Sequence, residues 1–267
     1  MDDVVLSWGV ATPEVATVCR AQNIPHIVMV RWWRNVAPLP PGDLMSREIP
    51  ESFRDEKKQI FDEAFYVLAN NLYTAGVVQY HYGRICKVSY VPVWGTIKGA
   101  GNPHGPIVLV TDAKDLGESE LLFDLADLLP KRVFLVVNSA DPEQYSDRTN
   151  IETTDYITEM ETIWRSAGIL IYPNYKNDVC GTSRVAPEAM QFGIPCLAND
   201  RAGICEKGMI SMPRDAAVKH WAITIEKIYR NYQAFSDRMI RTFENYDTPG
   251  ELQVYQDVIQ SAFDSKQ

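Results

Sequence analysis

The sequence predicts an α/β protein made of two Rossmann-like domains, their parallel sheets facing across a cleft. Three observations point there. Short aliphatic runs alternate with helical patterns along most of the 267 residues. One cluster of breakers, Gly95, Gly99, Gly101, Pro103, Gly105 and Pro106, interrupts the alternation. The alternation then restarts. Strands that alternate with helices imply parallel sheets covered on both faces, whose ligands bind at the carboxyl ends of the strands.

The elements follow in order. Residues 4–8 read as a buried strand, and Pro13 opens a helix to Ala21, because proline suits a first helical turn. Residues 24–30 form a second strand. The stretch 35–50, with Pro38, Pro40, Pro41 and Pro50, reads as a long loop of the kind that often carries function. A charged helix starts near Glu51, and strands follow over 64–68 and 88–93. Beyond the breakers, 107–110 and 133–137 are aliphatic runs typical of buried parallel strands, joined by a helix over 119–129. Residues 156–167 have helical spacing, and 169–172 form a strand. A short helix over 187–192 is closed by Gly193 and leads to a strand at 196–198. A long amphipathic helix over 216–246 breaks near Gln233. Pro249 interrupts, and a last helix covers 251–263. The domains expected are 1–95, completed by 251–263, and 106–246.

A formal net charge of -9 argues against non-specific binding to nucleic acid or to anionic membrane, both of which need basic surface. The acidic Met1-Asp2-Asp3 start lacks the basic region of a signal peptide, and no apolar run nears the length of a spanning helix. The five cysteines are odd in number and never have C-x-x-C spacing, so neither a disulfide framework nor a zinc site is expected. The expectation is a cytoplasmic protein with reduced thiols and no metal site, with a homo-oligomer left open. No GxGxxG follows a strand, and no P-loop is present.

One stretch carries chemistry. A strand ends at Tyr172, and a polar loop reaches Gly181-Thr182-Ser183, where a helix begins. A helix N-terminus offers free N–H groups to an anion, and small residues let a phosphate approach. Arg184 adds a fork-shaped permanent charge suited to a diphosphate. Glu188 lies one turn further on the same face, where its carboxylate can accept two hydrogen bonds from vicinal hydroxyls such as those of a ribose.

Glu188-Ala189-Met190, Gly193, Pro195, Gly203 and Glu206 together resemble the signature of retaining GT-B glycosyltransferases, the group 1 or family 4-like enzymes that include sucrose synthase-like and mannosyltransferase-like members. The order of elements supports the resemblance over most of the chain. The resemblance implies a nucleotide-sugar donor such as a UDP- or GDP-sugar, no cofactor and no metal. It implies that Glu188 binds the ribose and that the backbone of Gly181, Thr182 and Ser183 holds the diphosphate. Lys114 and Arg184 would stabilise the leaving diphosphate as the catalytic cations, and Tyr156 and Ile157 would lie beside the nucleobase. On the donor-sugar and acceptor side it implies Arg31, which stands where the family often has His, together with Trp32 and Cys180.

The chain departs from the family in three ways. The first glutamate of the E-x7-E motif is Cys180. The arginine that precedes the phosphate lysine has no counterpart near Thr111-Asp112. The first strands of the N-terminal domain are absent, which shortens the acceptor side. The leading reading is transfer of a sugar to an unidentified acceptor: a glycan, a small molecule, a protein or modified nucleic acid. A non-catalytic module that binds a nucleotide-sugar or a partner is the alternative, and a glycosyltransferase acting on modified nucleic acid is the third.

Overall fold

The computed structural model describes residues 4–8, 12–30, 48–90, 95–110, 116–139, 141–155, 157–173, 184–199, 208–213, 215–246 and 248–265. The chain divides into two compact units. One holds the described residues of 4–90 and 248–265, the other those of 95–173 and 184–246.

The first unit has a four-stranded parallel sheet in the order β1 (Val5–Trp8), β2 (His26–Val30), β3 (Tyr66–Ala69), β4 (Lys87–Val88). Three helices connect the strands: α1 (Pro13–Ala21), α2 (Glu51–Glu63) and α3 (Leu72–Tyr82). Alternate side chains of the strands face opposite ways. Val28, Val30 and Val67 pack with Ala16, Ile60, Phe61, Val77 and Val78 from these helices. Ile27, Met29 and Leu68 pack instead with Val258 and Ala262 of the C-terminal helix α9 (Thr248–Asp264). That helix is also fastened by polar bonds. The buried Glu251 carboxylate accepts the Tyr90 N–H at 2.8 Å, and Ser89 Oγ donates to the Glu251 carbonyl at 3.2 Å. Pro249 does not interrupt this helix; it lies in the first turn, where no N–H is needed.

Helix α3 was not expected. Asn71 caps it through Oδ1, which accepts the Thr74 N–H at 2.7 Å, and Gly83 ends it in the left-handed conformation at φ 70°. The helix is apolar on nearly every side, which hides its period.

The second unit has a six-stranded parallel sheet, with strands in the order β10, β9, β8, β5, β6, β7. These are β5 (Ile107–Val110), β6 (Phe134–Val137), β7 (Ile151–Thr153), β8 (Ile169–Tyr172), β9 (Cys196–Asn199) and β10 (Ile210–Met212). Helices α4 (Leu116–Leu128) and α7 (Val218–Arg230) enclose a core in which Leu121, Leu122, Leu125, Trp221 and Ile225 meet Ile107, Leu109, Phe134 and Ile169. Helix α6 (Val185–Met190) packs against α8 (Tyr232–Glu244).

The helix expected over 156–167 is reduced to the single turn α5 (Glu161–Trp164). Its flanking backbone groups have partners elsewhere. The carbonyls of Ser166 and Ala167 accept from Asn102, and the Ile157 N–H goes to Asn138. The glycine-rich stretch read as a boundary belongs to the second unit. The Lys98 N–H donates to the Gln191 carbonyl at 2.7 Å, Ser236 Oγ to the Ala100 carbonyl at 2.6 Å and Tyr229 Oη to the Gly105 carbonyl at 2.9 Å. That unit therefore begins before residue 106.

Helix α6 ends in a Schellman motif: the Ile194 N–H bonds the Ala189 carbonyl and the Gly193 N–H bonds the Met190 carbonyl, with Gly193 at φ 61°. A Cβ on Gly193 would come within 2.6 Å of Ser236 Oγ and 3.1 Å of the Ala100 backbone. Gly193→Ala should therefore cost about 2–4 kcal/mol, from left-handed strain plus overpacking. Gly76, inside α3, has nothing within 4 Å of an added Cβ, so Gly76→Ala should gain about 0.5–1 kcal/mol. Urea unfolding of the two variants beside the wild type checks both signs.

Candidate functional site

The topology of the second sheet singles out one position. From β5 the chain proceeds outward through β6 to β7; from β8 it proceeds the other way through β9 to β10. The strand order therefore reverses between β5 and β8, which are hydrogen-bonded neighbours. Above the carboxyl ends of two such strands the connections diverge and leave a crevice, where ligands of doubly wound sheets bind. The chain that leaves β5 after Val110 runs into the segment with Lys114. The chain that leaves β8 after Tyr172 runs into the segment from Cys180 to Arg184.

Arg184 and Glu188 are described, and the structure brings them together on α6. Arg184 is the residue before the helix, and its carbonyl accepts the Glu188 N–H at 3.0 Å. The helix starts at Val185, two residues beyond Ser183. Arg184 is exposed, whereas Glu188 is half-buried among buried Ala186, Pro187, Ala189 and Met190. Burial pushes the Glu188 carboxyl above its ordinary 4.5, while Arg184 and then Lys98 pull it down. Lys98 comes from the glycine-rich stretch. It is hydrogen-bonded to Glu161, which also pairs with Arg165, and these two cations hold the Glu161 carboxyl below its usual range. Its ammonium also lies 5.6 Å from the centre of the Phe192 ring. Sequence reasoning passed over Lys98, because a lysine in a glycine-rich stretch carries no signal of where the chain folds back.

Ile157 is half-buried, and its N–H donates to Asn138 Oδ1 at 2.7 Å. Asn138 directly follows β6 and has φ 62°. Its only sequence signal was an asparagine at the end of an aliphatic run, a residue type that tolerates the left-handed conformation. Lys114, Tyr156, Cys180, Gly181, Thr182, Ser183, Arg31 and Trp32 lie outside the described residues. Among the described residues no three His, Cys, Asp or Glu side chains form a metal-binding group, and no helix is long and apolar enough to cross a membrane.

Residues 120–231 match the family model described as Glycosyl transferases group 1. Solved structures superpose on nearly the whole chain. Anabaena Alr3699/HepE in complex with UDP gives a TM-score of 0.74 at 12% identity, over 96% of this chain and 79% of that one. The fold is that of the GT-B glycosyltransferases. The GT-B likeness extends to the pneumococcal O-GlcNAc transferase GtfA in complex with UDP and GlcNAc, with a TM-score of 0.69 at 15% identity, over 98% of this chain. The chain spans only 57% of the length of that GtfA. Sucrose-phosphate synthase from Thermosynechococcus elongatus superposes with a TM-score of 0.72 at 15% identity, over 93% of this chain and 72% of that one. No curated protein matches the sequence.

The raised pKa of Glu188 makes a prediction about stability. A carboxyl whose folded-state pKa exceeds its unfolded value favours folding at low pH, and that contribution is lost as the pH rises through the folded value. At neutral pH the ionised Glu188 thus opposes folding. Glu188→Gln should raise Tm at pH 7 relative to the wild type, and this gain should shrink as the pH is lowered below the ordinary value of 4.5. Thermal melts of both proteins at pH 4 and pH 7 read the difference directly. An equal Tm offset at the two pH values would show that burial does not penalise the charge.

Proposed function

We propose that the protein transfers a glycosyl group from a nucleoside diphosphate sugar to an acceptor, with the donor held at the β5/β8 crevice. The observation that carries this reading is the reversal of strand order. It is independent of any motif, and the two segments that leave these strands carry the residues that the family resemblance assigns to the diphosphate. The solved neighbours with UDP at hand add weight, as does the half-buried carboxylate of Glu188 beside exposed Arg184.

The site would work as follows. The backbone of Gly181, Thr182 and Ser183 receives the diphosphate, Glu188 accepts from the ribose hydroxyls, and Tyr156 and Ile157 border the base. The bond between the anomeric carbon and the diphosphate oxygen breaks, and the electron pair leaves with the nucleoside diphosphate. The acceptor oxygen forms the new bond, and its proton passes to a phosphate oxygen or to solvent. Charge grows on the diphosphate as that bond lengthens, so Lys114 and Arg184 would bind the transition state more tightly than the ground state. This proposal includes retention at the anomeric carbon without a metal ion. Arg31 and Trp32 would serve the acceptor and the donor sugar. Cys180, in place of the family's glutamate, favours a second reading in which the site binds a nucleotide-sugar without transfer.

A thermal-shift panel of nucleoside diphosphates and their sugars should reveal a donor, since a ligand of the native state raises Tm by mass action. Glu188→Ala should weaken that binding by about 1–3 kcal/mol in a calorimetric titration, as expected for lost hydrogen bonds to a charged group. Unchanged affinity would remove Glu188 from the ribose. In donor kinetics, Lys114→Ala and Arg184→Ala should lower kcat roughly ten- to thousandfold and change KM less. Cys180→Ala should keep most of the turnover, because a thiol is a weak hydrogen-bonding group. Donor binding without release of nucleoside diphosphate in the presence of any acceptor would favour the non-catalytic reading.

A further inference from the structure

Helices α4 and α7 pack side by side: Leu121, Leu122 and Leu125 of the one share a core with Trp221 and Ile225 of the other. Their outer faces carry opposite charge. On α4 the exposed Glu120, Asp124 and Asp127 recur at helical spacing and form an acidic stripe. On α7 the exposed Lys219, Lys227 and Arg230 form a basic stripe, with Ile223 in its middle. Among the described residues, the exposed large apolar side chains of the second unit are Ile223 at 65%, Leu128 at 44% and Val133 at 42%. All of them adjoin one groove of about 550 Å³, whose lining includes Leu129, Ala222, Ile223, Glu226, Lys227 and Arg230. Leu128 precedes Leu129, and Val133 follows Arg132, whose guanidinium pairs with Glu226 at 2.9 Å. Asp127 pairs with Arg148 at 3.0 Å. Among the described residues no ion pair engages Glu120, Asp124, Lys219 or Lys227.

We propose that this face joins two copies of the chain about a two-fold axis running along the groove. Rotation about that axis lays the α4 of each copy over the α7 of the other. Each acidic stripe then meets a basic one, and Ile223 and Leu128 form an apolar centre within a charged rim. Charge selects a second copy over other partners. A partner must offer a positive stripe to α4 and a negative one to α7, at the spacing of two packed helices. The rotated copy presents both by construction. Nucleic acid or an anionic membrane would instead meet the carboxylates of α4 and a chain of net charge -9. A merely solvated face gives charges no reason to separate by sign, one helix to each, around the most exposed apolar side chain described in the unit. The contact involves no donor, so it stands apart from the donor-site reading.

Analytical ultracentrifugation of the full chain, up to about 100 μM, measures the dimer Kd. The wild type should dimerise within that range. Ile223→Asp should raise the Kd roughly tenfold or more, by charging the apolar centre. Two double variants test the pairing of the stripes. Lys219→Glu with Lys227→Glu makes both helices acidic, and Glu120→Lys with Asp124→Lys makes both basic. Each variant alone should lose self-association, because like charges then face each other. Mixed in equal amounts, they should form a heterodimer with near-wild-type Kd, since every stripe again meets its opposite. Recovery in the mixture also shows that both variants are folded. The single changes Lys227→Glu and Asp124→Lys replace any double variant whose Tm falls. A wild type that stays monomeric throughout overturns the proposal. So do charge variants that dimerise as the wild type does, and a mixture that stays monomeric although each variant keeps the wild-type Tm.

Discussion

Strand β5 is hydrogen-bonded along both edges: Ile107 lies in register with Phe134 of β6 and also with Ile169 of β8. This double pairing constrains everything else in the second unit. A parallel partner on each side requires a crossover connection for each excursion, and the two excursions here depart in opposite directions. The apolar side chains of β5 are consequently buried, with Ile107, Val108 and Leu109 all at 1% exposure or less. The polar work is displaced to the loops beyond the strand ends. The same geometry sets the reversal of strand order between β5 and β8, the place where doubly wound sheets bind ligands.

The glycine-rich stretch before β5 shows how far that core extends. A run of breakers reads as a hinge when only local propensity is considered. In the folded chain its carbonyls and amides are used one after another by Gln191, Ser236, Tyr229 and Ala167. The glycines allow close approach where helix α6 ends, and Gly193 answers them with a left-handed turn against Ala100. The end of α6, and with it the pitch of the helix that carries Glu188, is thereby locked from below. Burial raises the pKa of the half-buried Glu188 carboxyl on that helix, against the pull of Arg184 and Lys98.

In the first unit the constraint is different. A parallel sheet must be covered on both faces. Helices α1 to α3 cover one face, and the other is closed by α9, the last element in sequence. Polar fastening supplements the apolar contact: the buried carboxylate of Glu251 takes a backbone N–H from Tyr90, which would otherwise lie beyond the end of β4. The buried imidazole of His26, bonded to Ser7 at 2.7 Å, is pushed by burial toward its neutral form, in keeping with a structural role.

What the sequence determined by itself was whatever depends on local pattern. Aliphatic runs such as 107–110 and 169–172 read as buried strands because they are short, rich in β-branched residues and preceded by glycine or proline. Gly193 marked the end of helix α6, since the left-handed turn there favours glycine, whereas Glu188-Ala189-Met190 and Pro195 stood out through the family resemblance. Patterns that period could not resolve were lost. Helix α3 is apolar almost all round, and β7 and β10 are three residues each, too short for alternation to show. Tertiary structure alone decided the strand order, and hence the point where it reverses, because register between β5 and β8 joins residues more than sixty positions apart. It alone replaced the expected helix over 156–167 by the single turn α5, with the Ile157 N–H bonded to Asn138 before it and the Ser166 and Ala167 carbonyls to Asn102 after it. Hydrogen bonds between distant segments compete with local ones on equal terms, and only the folded chain shows which of them are made.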